Sequence, residues 1–280
     1  MHYYPQEVKS KQSATMLVDA HCHIEMYQKH VDMALKDLEE NNIIVIGVSN
    51  GIPSYERTLE AAARTPRIIP AFGVTPHNAP DVIDNLEPIR KHANEASALG
   101  EIGLDRFFET DPSQYQTQAD LFDTFLKAAE KNDSILSIHS RGADREVLTM
   151  LESYSIRRAV IHGFDAGHEI EEMAAEMGVY LSFSLAATRE YHGIIPQWGE
   201  IQKAIRYVPD DLLFCETDAP GMSPDTPPSK PLNRVIDHVS QVRGVDREHI
   251  VQQTLTNMIR LVKGVPGLSR QASFLESHKS

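Results

Sequence analysis

Cysteine is scarce in these 280 residues: Cys22 and Cys215 are the two present. That scarcity argues against a disulfide-stapled secreted scaffold, and the expectation is a reducing cytoplasm with both thiols free. No apolar run approaches the roughly 18 residues that cross a bilayer, so no membrane partner is expected. Residues 1–15 are polar and lack the apolar centre of a signal peptide, and they read as a flexible N-terminal extension. Positive charge is also short. Lys and Arg number 27 against 40 Asp and Glu, a formal charge of −13. A protein that grips long duplex DNA across its surface is normally basic, so only a locally positive pocket is left open. There is no glycine-rich phosphate loop.

What is there is a rhythm. Strands are expected at 17–23, 43–48, 67–74, 98–103, 134–139, 158–162, 179–184 and 212–218, each followed by a helical stretch. Ile43 to Val48 is a continuous β-branched run apart from Gly47, as a strand buried on both faces requires. Alternation of this kind implies parallel strands joined by crossover helices. Eight such units predict an α/β fold of the (β/α)8 TIM-barrel type over residues 16–263. A loose C-terminal tail over 264–280 follows. The rival is a doubly wound open sheet, which would gather its polar groups at one switch point.

In a barrel, active sites lie at the carboxyl ends of the strands. Strand one ends in His21 and His23, whose side chains share a face because strand residues alternate. Later strand ends carry Glu101, His139, His162 and Asp218. Taken singly, each has a plain structural explanation: a hydrogen-bonded core histidine, an ion-pair partner, a helix cap. Together, four imidazoles and two carboxylates exceed what one tetrahedral ion needs. They suit two divalent metal ions, zinc, manganese or magnesium, sharing a carboxylate. Glu216, one layer below Asp218, is read as fixing a ligand histidine or as part of a buried ion pair. Arg106, Arg141, Arg145, Arg189, Lys230 and Arg234 follow strand ends and are candidate phosphate contacts or partners of local acids. Phe107 and Phe108 are candidates to stack on a base, with one of them expected in the core.

The ordered motifs VDAHCH, GEIGLD, IHSR, IHGF and ETDAP make the chain similar to the TatD-type metal-dependent deoxyribonucleases, a branch of the amidohydrolase superfamily, over about residues 16–263. The resemblance implies that His21, His23 and Asp218 hold one ion, that His139 and His162 hold the other, and that Glu101 bridges them. It implies a phosphate-binding role for Arg141. The catalytic residues are then Asp218, as proton acceptor, and Glu101. The expected reaction is attack of a metal-bridging hydroxide on phosphorus, trimming a nucleic acid bound locally at a single-stranded end. One departure stands out. Where the family has Gly-x-His-Pro-His, this chain has Gly73-Val74-Thr75-Pro76-His77. Threonine cannot act as a proton-transfer acid at neutral pH, so His77 is the candidate substitute at the substrate, beside Arg141, Arg189 and Lys230. The alternatives are hydrolysis of a small amide or ester, and a barrel subunit of a larger assembly with residual activity. Nothing in the sequence identifies a protein partner.

Overall fold

The structure, a computed structural model, describes residues 15–278 apart from Pro196 and Met222. The extension expected over 1–15 therefore lies almost wholly outside the described residues. Eight parallel strands are present: β1 (Leu17–Cys22), β2 (Ile43–Gly47), β3 (Ile68–Pro70), β4 (Ala98–Gly103), β5 (Ile135–His139), β6 (Ala159–Ile161), β7 (Tyr180–Phe183) and β8 (Leu213–Cys215). They run in sequence order as a three-stranded and a five-stranded sheet. Isolated parallel bridges join the two sheets at both seams, Phe72 with Leu99 and Cys22 with Ala219. The fold is the TIM-barrel, amidohydrolase-like arrangement. β2 is buried along its whole length, as its apolar run requires.

Helices cover the strands: α1 (Val31–Glu40), α2 (Ile52–Arg64), α3 (Ala79–Val82), α4 (Glu87–Glu95), α5 (Ser113–Asn132), α6 (Asp144–Glu152), α7 (His168–Glu176), α8 (Trp198–Tyr207), α9 (Ser229–Arg243), α10 (Arg247–Val262) and α11 (Ser269–Glu276). Helical spacing decides what each buries. In α5, Leu121, Phe122, Phe125, Leu126 and Ala129 are buried, three and four residues apart on one face. None of the helices among the described residues is long and apolar enough to cross a membrane.

Two expectations need correction. The helix read over 81–95 is broken into α3 and α4, with a 3-10 turn at Ile83–Asn85 between them. Pro80 and Pro88 stand in the first turn of each piece, where a missing N–H costs nothing but where an unbroken helix would have lost hydrogen bonds. The loose tail is also wrong. Residues Ser269–Glu276 are helical, Leu268 and Leu275 are buried, and Gln271 Nε2 donates to the Ile68 carbonyl at 3.1 Å.

Glycine is required at one place that matters for the site. Gly103 has a φ of +133°, and a Cβ there would lie 2.0 Å from the His139 carbonyl oxygen. The close approach lets Leu104 N–H donate to that carbonyl at 2.9 Å, which holds the ends of β4 and β5 together.

Candidate metal centre

The six polar residues singled out at strand ends converge. Glu101 lies between the histidines: its Oε1 is 2.9 Å from His139 Nδ1 and 3.1 Å from His162 Nε2. Its Oε2 is 3.2 Å from His23 Nε2 and 3.9 Å from His21 Nε2. Asp218 Oδ1 is 3.6 Å from Nε2 of both His21 and His23. The ring nitrogens also crowd one another, at 3.4 Å between His21 and His23 and 3.2 Å between His139 and His162. Among the described residues three groups have donor atoms close enough to hold a metal ion: His21 with His23 and Asp218, His21 with Glu101 and His162, and His77 with Asp105 and His139. Crowded nitrogens with few protons to share repel one another, and a cation among them removes the repulsion. The donor set fits a divalent metal.

Outward from the cluster, each imidazole has a neighbour for its other nitrogen. His21 Nδ1 is 2.8 Å from Ser137 Oγ, and His139 Nε2 is 2.7 Å from Asp105 Oδ2. His162 Nδ1 is 3.4 Å from Glu216 Oε1, which also accepts the Gly163 N–H at 2.7 Å. His23 Nδ1 faces the buried Glu25 carboxylate at 3.7 Å, and that carboxylate has no hydrogen-bond partner. Partners of this kind orient metal-binding histidines and select the free nitrogen. Ser137, Asp105 and Glu25 were missed in the sequence. A signal existed for two of them: Glu25 follows His21 and His23 by twos, and Asp105 follows Glu101 and Gly103 by twos. Inward parity continues past the strand ends.

Charge explains the proton affinities. Burial alone would raise Glu101, but hydrogen bonds from His139 and His162 bring its carboxyl well below the usual range. Burial opposes a charge on His23, yet Glu101 and Glu25 push its pKa up to about 10. His162 is raised likewise by Glu101 and Glu216. His21 is lowered by its own burial and by the stacked His162 ring, 3.8 Å away between centroids. The cluster attracts positive charge. Below it, burial raises Asp19 to about 7. Thr217 donates to Asp19 from its hydroxyl at 2.7 Å and its N–H at 2.9 Å.

The basic residues divide. Arg141 lines a cavity of about 130 Å³ together with His139, His162 and Asp218, and its Nε lies 3.3 Å from Asp165 Oδ2. Lys230 and Arg234 line a larger cleft of about 520 Å³ that also takes in Asp218. His77 is half exposed, its Nε2 3.4 Å from Asp105 Oδ2. Arg189 is exposed on a turn and is not among the residues lining either cavity. Arg106, Arg145 and Arg234 pair with Glu146, Glu169 and Glu190. Cys22 and Cys215 are buried and free. Both Phe107 and Phe108 are exposed, so neither is the core residue expected.

Residues 18–263 match the family TatD related DNase. Human deoxyribonuclease TATDN3 is 23% identical over 266 residues, 88% of this chain and 94% of that protein. The uncharacterized metal-dependent hydrolase YcfH of Escherichia coli K12 is 27% identical over 261 residues, 88% of this chain and 95% of its own. Among solved structures, YJJV, a TatD homolog from Escherichia coli K12, superposes with a TM-score of 0.76 at 25% identity, covering 88% of this chain and 97% of that one. With a barrel of this order, a histidine-rich centre at its strand ends and a match over most of its length, the chain belongs to the TatD-related DNase family of metal-dependent hydrolases.

Proposed function

We propose that the chain is a two-metal phosphodiesterase that trims nucleic acid from a single-stranded end. The observation that carries the reading is Glu101, one oxygen of which faces His139 and His162 while the other faces His23. A carboxylate so divided suits a bridge between two ions, with His21, His23 and Asp218 on one side and His139 and His162 on the other. Imidazole-rich donors favour zinc over manganese and magnesium, which prefer oxygen. When bound, such ions make hydroxide available near neutral pH and offset charge gathering on phosphoryl oxygens.

The remaining work falls to side chains of this chain. Asp218, half exposed at the rim, accepts the proton of the attacking water. Arg141 and Lys230, each lining a cavity that includes Asp218, bind phosphate oxygens. His77 donates a hydrogen bond to the phosphate in the place left by Thr75. The substrate class is taken from the deoxyribonuclease names in the family. Thr75 favours a second reading, hydrolysis of a small amide or ester.

The test joins metal analysis of protein purified without chelator to digestion of an end-labelled single strand. About two ions per chain and products shortened from one end are expected. An intact strand beside turnover of a small amide or ester would overturn the proposal.

A further inference from the structure

We infer that Phe107 and Phe108 form a nucleobase-stacking subsite for the nucleotide whose phosphate lies at the metal centre, an inference that rests on the phosphodiesterase reading. The two rings are 56% and 58% exposed. They meet edge to face, 5.0 Å apart at 90°, with the Arg141 guanidinium over a face of each.

Arg141 connects this pair to the centre. Its guanidinium lies 4.9 Å and 4.8 Å from the two ring centroids. The same residue lines the small cavity with His139, His162 and Asp218. A phosphate held by Arg141 therefore brings its own base within reach of the rings. The rings are also held in place. Asp105 Oδ1 accepts the N–H of Phe107 at 2.8 Å and of Phe108 at 2.6 Å, while its Oδ2 sits on His139. One buried carboxylate thus fixes both the aromatic loop and an imidazole of the centre. His77 spans the interval, 6.1 Å from the His139 ring and 6.3 Å from the Phe108 ring.

Two recognition chemistries name the occupant: the Arg141 guanidinium suits a phosphate, and the ring pair suits a base. An acidic protein has little long-range attraction for a polyanion, so contact through base faces supplies what the surface charge does not. Stacking suits any base, because every base has a π-face, so the subsite carries no strong sequence preference.

The test compares two phosphodiesters with the same leaving group, thymidine 5′-(4-nitrophenyl) phosphate and methyl 4-nitrophenyl phosphate. The ratio of their kcat/KM values is measured for metal-replete wild type and for the Phe107→Ala, Phe108→Ala double variant. The ratio should fall about tenfold or more in the variant, chiefly through KM. Quenching of a 2-aminopurine near the end of a single strand should appear with wild type and vanish with the variant. Phe107→Leu with Phe108→Leu keeps apolar bulk and repeats the test should the alanine variant fold poorly. An unchanged ratio with both esters hydrolysed overturns the subsite, as does a variant that changes only self-association in sedimentation. If wild type hydrolyses neither ester, the phosphodiesterase reading fails instead, and the 2-aminopurine signal alone decides the subsite.

Discussion

Each imidazole of the centre divides its nitrogens, one turned inward and one given to a neighbour, and this division yields two residue-level predictions. Asp105→Asn changes the group that meets His139 Nε2 at 2.7 Å, so the tautomer presenting Nδ1 inward is no longer enforced. Metal affinity should fall about 10- to 100-fold, read by competition with a chelator. An unaltered affinity would leave Asp105 only the task of holding the loop at Phe107 and Phe108. Asp218→Asn keeps the size of the side chain and removes the proton acceptor. Turnover should drop about a hundredfold or more while substrate affinity changes less. Near-normal turnover with metal content confirmed would reassign Asp218.

At the scale of elements, the barrel strands are short, and much of the centre sits beyond their formal ends. β8 stops at Cys215, yet Asp218 N–H donates to the His21 carbonyl at 3.0 Å, and His23 N–H to the Ala219 carbonyl at 2.8 Å. Backbone bonds across the seam therefore aim His21, His23 and Asp218 at one point. α11 belongs to the same folded unit. Leu275 is fully buried, so Leu275→Ala should destabilise the protein by about 2–5 kcal/mol through lost burial and a residual cavity. Denaturant unfolding measures this, and a loss under half a kcal/mol would mean that α11 is only lightly attached.

For the whole molecule, the excess of acid limits how a polyanion is held. With a formal charge of −13, attraction must come from the centre and the few cations beside it. About two to four phosphates should be neutralised, each steepening the fall of log affinity with log salt by about 0.7 for a single strand. Binding of oligonucleotides of increasing length to a metal-loaded Asp218→Asn variant tests this. A shallow slope and affinity that levels off after a few nucleotides are expected. Affinity that climbs with length, with a steep slope, would reveal an extended groove and defeat end-trimming. Metal should also stabilise the fold, because ions that bind only the native state shift unfolding by mass action. At 100 times its dissociation constant one ion adds about 2.7 kcal/mol, and a melting temperature indifferent to chelator would refute it.

The order of eight strands, and the six polar residues at their carboxyl ends, were legible in the amino-acid sequence because both are local patterns: apolar runs of strand length and one polar residue at the expected parity. The breaks at Pro80 and Pro88 were legible in principle by the same local rules. Other features depended on contacts between residues far apart in the chain. α11 has too few apolar residues to announce itself, and only packing against the barrel makes it a helix with a buried face. That Arg106 and Arg145 pair with Glu146 and Glu169, while Arg141 pairs with Asp165 and also lines the cavity at the centre, depends on which elements meet, which no spacing in the chain encodes. Glu25 is two residues from His23, but other neighbours of the imidazoles are distant: Ser137 is 116 residues from His21 and Glu216 is 54 from His162. The tertiary fold brings those pairs together and decides which nitrogen of His21 and of His162 is left for a metal.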